Sequence, residues 1–147
     1  MSEVLKNAGY KVTPARLGIL EIFSKTKSPL DAENVYKQLK KGRVSMDGTR
    51  HDFAKSKNIN EVTVYRTLTS FTESGILKRI DLRKNSVHFE LAKEHHHHIV
   101  CTKCDTVEDI ENKELEKVLG KIVNKLSKFK RIKEHSLEFF GLCVKCA

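Results

Sequence analysis

A chain of 147 residues, 39% hydrophobic and 32% charged, is long enough for one ordinary domain or for two small ones that each need extra support. No apolar run approaches the roughly 18 residues that a membrane span requires, and the N-terminal stretch lacks a basic region followed by an apolar one, so neither an anchor nor a signal peptide is expected. The net charge of +9 suggests a polyanionic partner, the plain alternative being a well-solvated basic surface, with no membrane or small-molecule partner expected, and most of it is N-terminal: 17 Lys/Arg against 10 Asp/Glu over residues 1–92, 11 against 9 over residues 93–147.

In chain order, Ser2 is expected to cap a short helix running to Gly9. Thr13-Pro14 reads as an N-cap followed by proline at the first helical position, with Leu17, Leu20 and Phe23, backed by Ile19 and Ile22, as the apolar face. Asp31 caps a third helix with Ala32, Val35, Tyr36 and Leu39 inward, ending at Gly42. Residues 43–59 are polar, basic and without periodicity, and read as a loop. Asn60 or Asn58 caps a fourth helix that ends at Gly75, whose core face is Val64, Leu68 and Phe71. Its opposite face presents Thr63, Tyr65, Arg66, Thr67 and Ser70, which are hydroxyls, an aromatic and an arginine rather than a solvating Glu/Lys mixture. Leu77 to Leu82 and Val87 to Leu91 alternate with a period of two around Arg83-Lys84-Asn85-Ser86, a hairpin. Helices followed by a basic-tipped hairpin predict a winged helix, the fourth helix being the one offered to the major groove.

Beyond Leu91 the character changes. His98 to Val100 and Thr106 to Ile110 read as strands around a cysteine turn, 113–129 as an amphipathic helix, and Ile132 to Phe140 as a last strand. A unit this small needs metal, a partner subunit or both. The prediction is therefore an α+β chain: a winged-helix DNA-binding domain over 1–91, then an α/β dimerisation and metal-binding domain over 92–147.

The four cysteines form two C-x-x-C turns, Cys101/Cys104 and Cys143/Cys146. Each turn delivers two thiolates from one bend, and two turns complete a tetrahedral zinc site. In the reducing cytosolic setting expected here, disulfides are disfavoured, and neither turn opens a helix as a redox C-x-x-C would. His95-His96-His97-His98 precede the first turn; a purification tag would be terminal and usually longer. In a strand His96 and His98 face one side and His95 and His97 the other, so the two sides can serve different metals. Glu90 and Asp109 are the candidate carboxylates for the first side, Glu116 and His135 the further ligands for the second. Imidazole and carboxylate do not by themselves select among zinc, iron, manganese, cobalt and nickel.

TVYRTL in the fourth helix, Glu90-Leu91 followed by HHHHIVCTKC, EHSLEFFGLCVKC, and the T-x-x-R of Thr13 to Arg16 together resemble the ferric uptake regulator family over nearly the whole chain. The resemblance implies a cytoplasmic homodimeric repressor that binds a palindromic operator in double-stranded DNA when a regulatory metal is bound, controlling metal uptake or oxidative-stress genes. It implies structural Zn(II) on Cys101, Cys104, Cys143 and Cys146, and regulatory Fe(II), Mn(II) or Zn(II) on Glu90, His96, His98 and Asp109. His95, His97, Glu116 and His135 match an additional metal site. Tyr65 and Arg66, with Thr63, match recognition-helix residues; Arg16, Arg83 and Lys84, with Lys78 and Arg79, would meet phosphates.

Two departures stand out. Thr26 to Leu30 lacks the histidine that family members often supply to the hinge site, and the 43–59 loop, with Asp47, His51 and Asp52, is longer than usual. The aspartate at Asp109 resembles the peroxide-sensing relatives, whereas the missing histidine argues against that subgroup. A zinc hydrolase would need an open coordination position and a nearby general base, and no H-E-x-x-H occurs. The rival that remains is a zinc-ribbon module binding RNA or protein without sensing metal.

Overall fold

The computed structural model describes residues 1–41, 59–83, 86–93, 95–131, 133 and 135–147. The chain forms two units, Met1–Lys93 and Glu94–Ala147. Among the described residues no helix is long and apolar enough to cross a membrane. The 43–58 loop with Asp47, His51 and Asp52, the helix end expected at Gly42, and Lys84 lie outside the described residues.

In the first unit, α1 (Ser2–Asn7), α2 (Pro14–Lys25), α3 (Ala32–Lys40) and α4 (Glu61–Glu73) surround one core. The starts of three of these helices follow from local chemistry. Thr13, Asp31 and Asn60 are extended residues whose side chains accept from the backbone N–H of Arg16, Asn34 and Thr63 respectively, each satisfying a donor that a helix start leaves without a partner. Ser2 does not cap α1. It already lies in the first turn, and the cap is Met1, which supplies no side-chain bond. α1 and α4 stop the same way: Gly9 (φ 77°) and Gly75 (φ 73°) take the left-handed conformation. The N–H of Tyr10 then bonds Leu5 O and that of Ile76 bonds Phe71 O, which closes off carbonyls the helix cannot use.

The wing is a three-stranded antiparallel sheet of β1 (Leu30–Asp31), β3 (His88–Leu91) and β2 (Leu77–Ile80), in the order β1-β3-β2. β1 is a two-residue strand that no periodicity could reveal, since it exists only through pairing of Leu30 with Phe89 and Asp31 with His88. Leu5, Val35, Val64, Leu68 and Phe71 are fully buried, so α4 is fixed by its apolar stripe while the opposite stripe stays outside. Leu68→Ala should destabilise this unit by about 2–5 kcal/mol, the usual range for removing a fully buried leucine, read as an earlier midpoint in chemical denaturation.

The second unit is a sheet of order β5-β4-β6, with β4 (His97–Cys101) central, β5 (Val107–Ile110) antiparallel to it and β6 (Glu138–Gly141) parallel. α5 (Lys113–Asn124) joins β5 to β6. The last strand runs over Glu138–Gly141, where its pairing with β4 starts at His98↔Glu138; its expected start at Ile132 lies outside the described residues. α5 ends at Asn124, short of the expected 129. No residue of α5 is buried, so little packing prolongs it. Among the described residues of this unit, those that are buried are His97, His98, Val100 and Cys101. Its described interior is thus made mainly of histidine and cysteine side chains, types suited to metal ligation, which is where a small unit is expected to depend on metal.

Candidate metal centres and nucleic-acid interface

The two cysteine turns meet because β4 and β6 run parallel, with Cys101 opposite Gly141. Cys101 ends β4, and its turn closes through Asp105, a non-glycine residue at φ 60° whose N–H bonds Cys101 O at 2.9 Å. Thr102 N–H bonds Gly141 O at 2.8 Å, and two residues later Cys143 N–H points at Cys101 Sγ, 3.4 Å away. The four sulfurs lie within 4.8 Å of one another, and none is in a disulfide. Cys104 Sγ and Cys143 Sγ are 3.6 Å apart. That is well beyond a disulfide and close to the roughly 3.8 Å edge of a tetrahedron with Zn–S bonds of 2.3 Å. Backbone N–H groups of Cys143, Lys103 and Cys104 bring the Cys101 thiol down to about 6. Cys146 is pushed up to about 12 by its bonds to the neighbouring cysteines Cys104 and Cys143. Sulfurs this close share protons unless a cation replaces them.

His95, His97, Glu116 and His135 form a second convergence within the same unit. His97 Nε2 is 2.7 Å from Glu116 Oε1, His95 Nε2 is 3.0 Å from His135 Nε2, and His95 and His135 each lie 3.5 Å from a Glu116 oxygen. These spacings bracket the roughly 3.4 Å expected between nitrogen ligands about 2.05 Å from a tetrahedral zinc. Glu116 lies in the first turn of α5 behind the cap Asn112, whose Oδ1 accepts from the N–H of Glu114 and Leu115. The hydrogen bond from His97, with the nearby imidazoles, holds the Glu116 carboxyl below its usual range.

His96 and His98 stack edge to face on the other side of the strand, ring centres 4.9 Å apart. Asp109 is the β5 partner of His98, with Oδ1 3.6 Å from His98 Nε2. Glu90 belongs to the first unit, on β3, where it is buried and paired with Lys78 across the sheet, Nζ to Oε1 2.8 Å. Reading the hairpin for its period alone missed that ion pair. The signal was present, since opposite charges face each other in the β2–β3 register.

On α4, Thr63, Tyr65 and Arg66 are all exposed, Tyr65 by 47%. Thr63 Oγ1 donates to the cap Asn60 and Thr67 Oγ1 to Thr63 O, which leaves Tyr65 and Arg66 as the side chains held outward. Arg16 is half-buried. Its Nη1 donates to Lys11 O at 2.9 Å, and its guanidinium lies over the Tyr10 ring, whose hydroxyl donates to Ser70 O of α4 at 2.7 Å. Arg16 therefore supports Tyr10, and through it Ser70 of α4, with part of a five-donor guanidinium. Arg83, exposed at the hairpin tip, adopts φ 53°.

Residues 7–140 match the model of the ferric uptake regulator family. The ferric uptake regulation protein of Neisseria gonorrhoeae is 38% identical over 144 residues, which is 97% of this chain and 90% of that protein. The crystal structure of the Vibrio cholerae ferric uptake regulator, described as revealing a rearrangement of its DNA-binding domains, is similar with a TM-score of 0.75 at 31% identity, covering 97% of this chain and 98% of that one. The ferric uptake regulator of Francisella tularensis with iron gives 0.74 at 31% identity, over 94% and 95% of the two chains.

Proposed function

We infer that this chain, which belongs to the ferric uptake regulator family and by that membership is a metal-responsive, DNA-binding transcriptional repressor and not an enzyme, senses its metal through Glu90, His96, His98 and Asp109. The observation that carries the reading is the division of labour along β4: one side of the strand gathers His96, His98 and Asp109, the other His95 and His97 with Glu116 and His135, and its end starts the cysteine set. Cys101, Cys104, Cys143 and Cys146 hold structural Zn(II), whose chemistry here is to supply folding energy. His95, His97, Glu116 and His135 hold an additional ion.

The regulatory ion, Fe(II), Mn(II) or Zn(II), supplies positive charge that a set of carboxylates and neutral imidazoles can share. Glu90 comes from residues 1–91, which we assign as the DNA-binding domain, and the other three from residues 92–147, the dimerisation domain. Ligation by all four would tie the hinge. Metal binding then favours whichever arrangement of the two domains it binds more tightly, by no more than the difference in affinity. Family regulators bind DNA and act as dimers. For this chain we propose a cytoplasmic homodimer on a palindromic operator, with exposed Val118, Ile122 and Leu126 of α5 and the segment after it covered by the second copy. Such a dimer sets two recognition helices about one helical turn of DNA apart. Tyr65 and Arg66, with Thr63, would read base edges; Arg16, Arg83 and Lys84 would hold phosphates.

The test is metal analysis of the purified protein coupled to an operator gel shift across Fe(II), Mn(II) and Zn(II); operator binding indifferent to all three would end the reading. Two variants separate the DNA contacts. Arg66→Ala should weaken operator binding by about 1–3 kcal/mol with little change for unrelated duplex, whereas Arg83→Ala should weaken all duplexes evenly and lower the salt slope by about 1.

A further inference from the structure

Glu90 carries its own counter-ion. Lys78 stands directly opposite it in the β2–β3 register, with Nζ 2.8 Å from Oε1. The glutamate side chain is 10% exposed and the lysine 31%. The Glu33–Lys37 pair on α3, by contrast, is about 60% exposed on both sides, the kind of surface pair that contributes little. At Glu90 the dielectric surroundings are lower and the attraction stronger.

We propose that Lys78 is the cation with which the regulatory metal competes at Glu90, and that it sets the metal concentration at which the repressor responds. The proposal rests on the reading of Glu90 as a metal ligand. An ion that takes Oε1 must displace the ammonium. An ion that takes Oε2 must sit within a few ångströms of it and is repelled by like charge. Both routes lower metal affinity below what the same ligands give without Lys78. The flexible four-carbon stem lets the ammonium leave the carboxylate for solvent. The metal-free protein is thus held by a weak internal cation that a stronger divalent one replaces.

The experiment is a Mn(II) titration, followed by EPR of the free ion, of the full-length protein with its cysteine site zinc-filled, at pH 7.5. His96→Ala serves as the blank for Mn(II) bound elsewhere. Lys78→Met and Lys78→Gln should each tighten the His96-dependent binding by roughly three- to tenfold, the range of a partly buried ion pair lost from the competing state. Both should lower the Mn(II) concentration for half-maximal operator binding by the same factor. Lys78→Arg, which keeps the charge, should titrate like the wild type. Unchanged or weaker Mn(II) binding in both neutral variants, with folding intact by thermal melt, overturns the proposal. Glu90→Gln separates the two layers: if it loses Mn(II) binding while the lysine variants stay unchanged, only the competition fails, and if it binds Mn(II) as the wild type does, Glu90 is no ligand and both readings fall.

Discussion

His98→Ala is expected to yield a folded, zinc-containing dimer that no longer gains operator affinity when metal is added. His98 is 2% exposed on the central strand, with its Nε2 directed at Asp109, so its imidazole is already placed and pays little ordering entropy on ligation. Changes to groups that merely support a metal ligand cost about 10–100-fold in affinity, and loss of the ligand itself should cost at least that. At a Mn(II) concentration that saturates the wild type, most of the variant then stays metal-free at this site, and a population can shift only as far as the metal binds. His96→Ala should behave the same way, since its ring stacks on that of His98. Gel shifts across a Mn(II) series, with zinc content and size-exclusion elution measured on the same preparations, check the result. Operator binding that responds to Mn(II) as in the wild type would remove His96 and His98 from the sensing site. The matching change on the other side of β4, His97→Ala, should leave a measurable Mn(II) response, because His97 faces Glu116 and not Asp109.

What could be read from the sequence was whatever is decided within a few residues. The caps at Thr13, Asp31 and Asn60 form from side chains that accept from backbone N–H groups three residues on, and the alternation of the four histidines follows from the strand's period of two. Each C-x-x-C turn is equally local. Features created by pairing between distant segments were not legible. β1 has no signature of its own and depends on Phe89 and His88. That the two cysteine turns share one site is legible from their ligand type, but the parallel register that brings them together, Cys101 opposite Gly141, is not, and neither is the start of β6 at Glu138. The end of α5 was misplaced for another reason. Leu126 and Phe129 continue the apolar spacing, yet both are exposed and the helix has already stopped, so periodicity persists where no packing enforces helix. Lys78 shows a limit of a different kind: the hairpin's period says nothing of its pairing with Glu90 across the wing.

The cysteine set carries the second large effect, and it concerns folding where His98 concerns sensing. Cys101→Ser or Cys143→Ser should abolish stoichiometric zinc binding and leave the C-terminal unit unfolded or monomeric, while the winged helix retains its helical signal. The reason lies in how little else holds residues 95–147 together. Beside Val100, their buried members among the described residues are two histidines and Cys101 itself, and α5 leaves Val118 and Ile122 exposed. Apolar burial on that scale cannot offset the ordering of some fifty residues at about 1–2 kcal/mol each, whereas structural zinc in small domains contributes about 10–16 kcal/mol. The first unit has its own core of Leu5, Val35, Val64, Leu68 and Phe71 and does not draw on the zinc. Chelating the zinc from the unmutated protein should reproduce the variants, with loss of dimer in size exclusion. The outcome that would refute this is an intact dimer without zinc, since the sheet register from Cys101 to Gly141 would then hold the chain end without the metal.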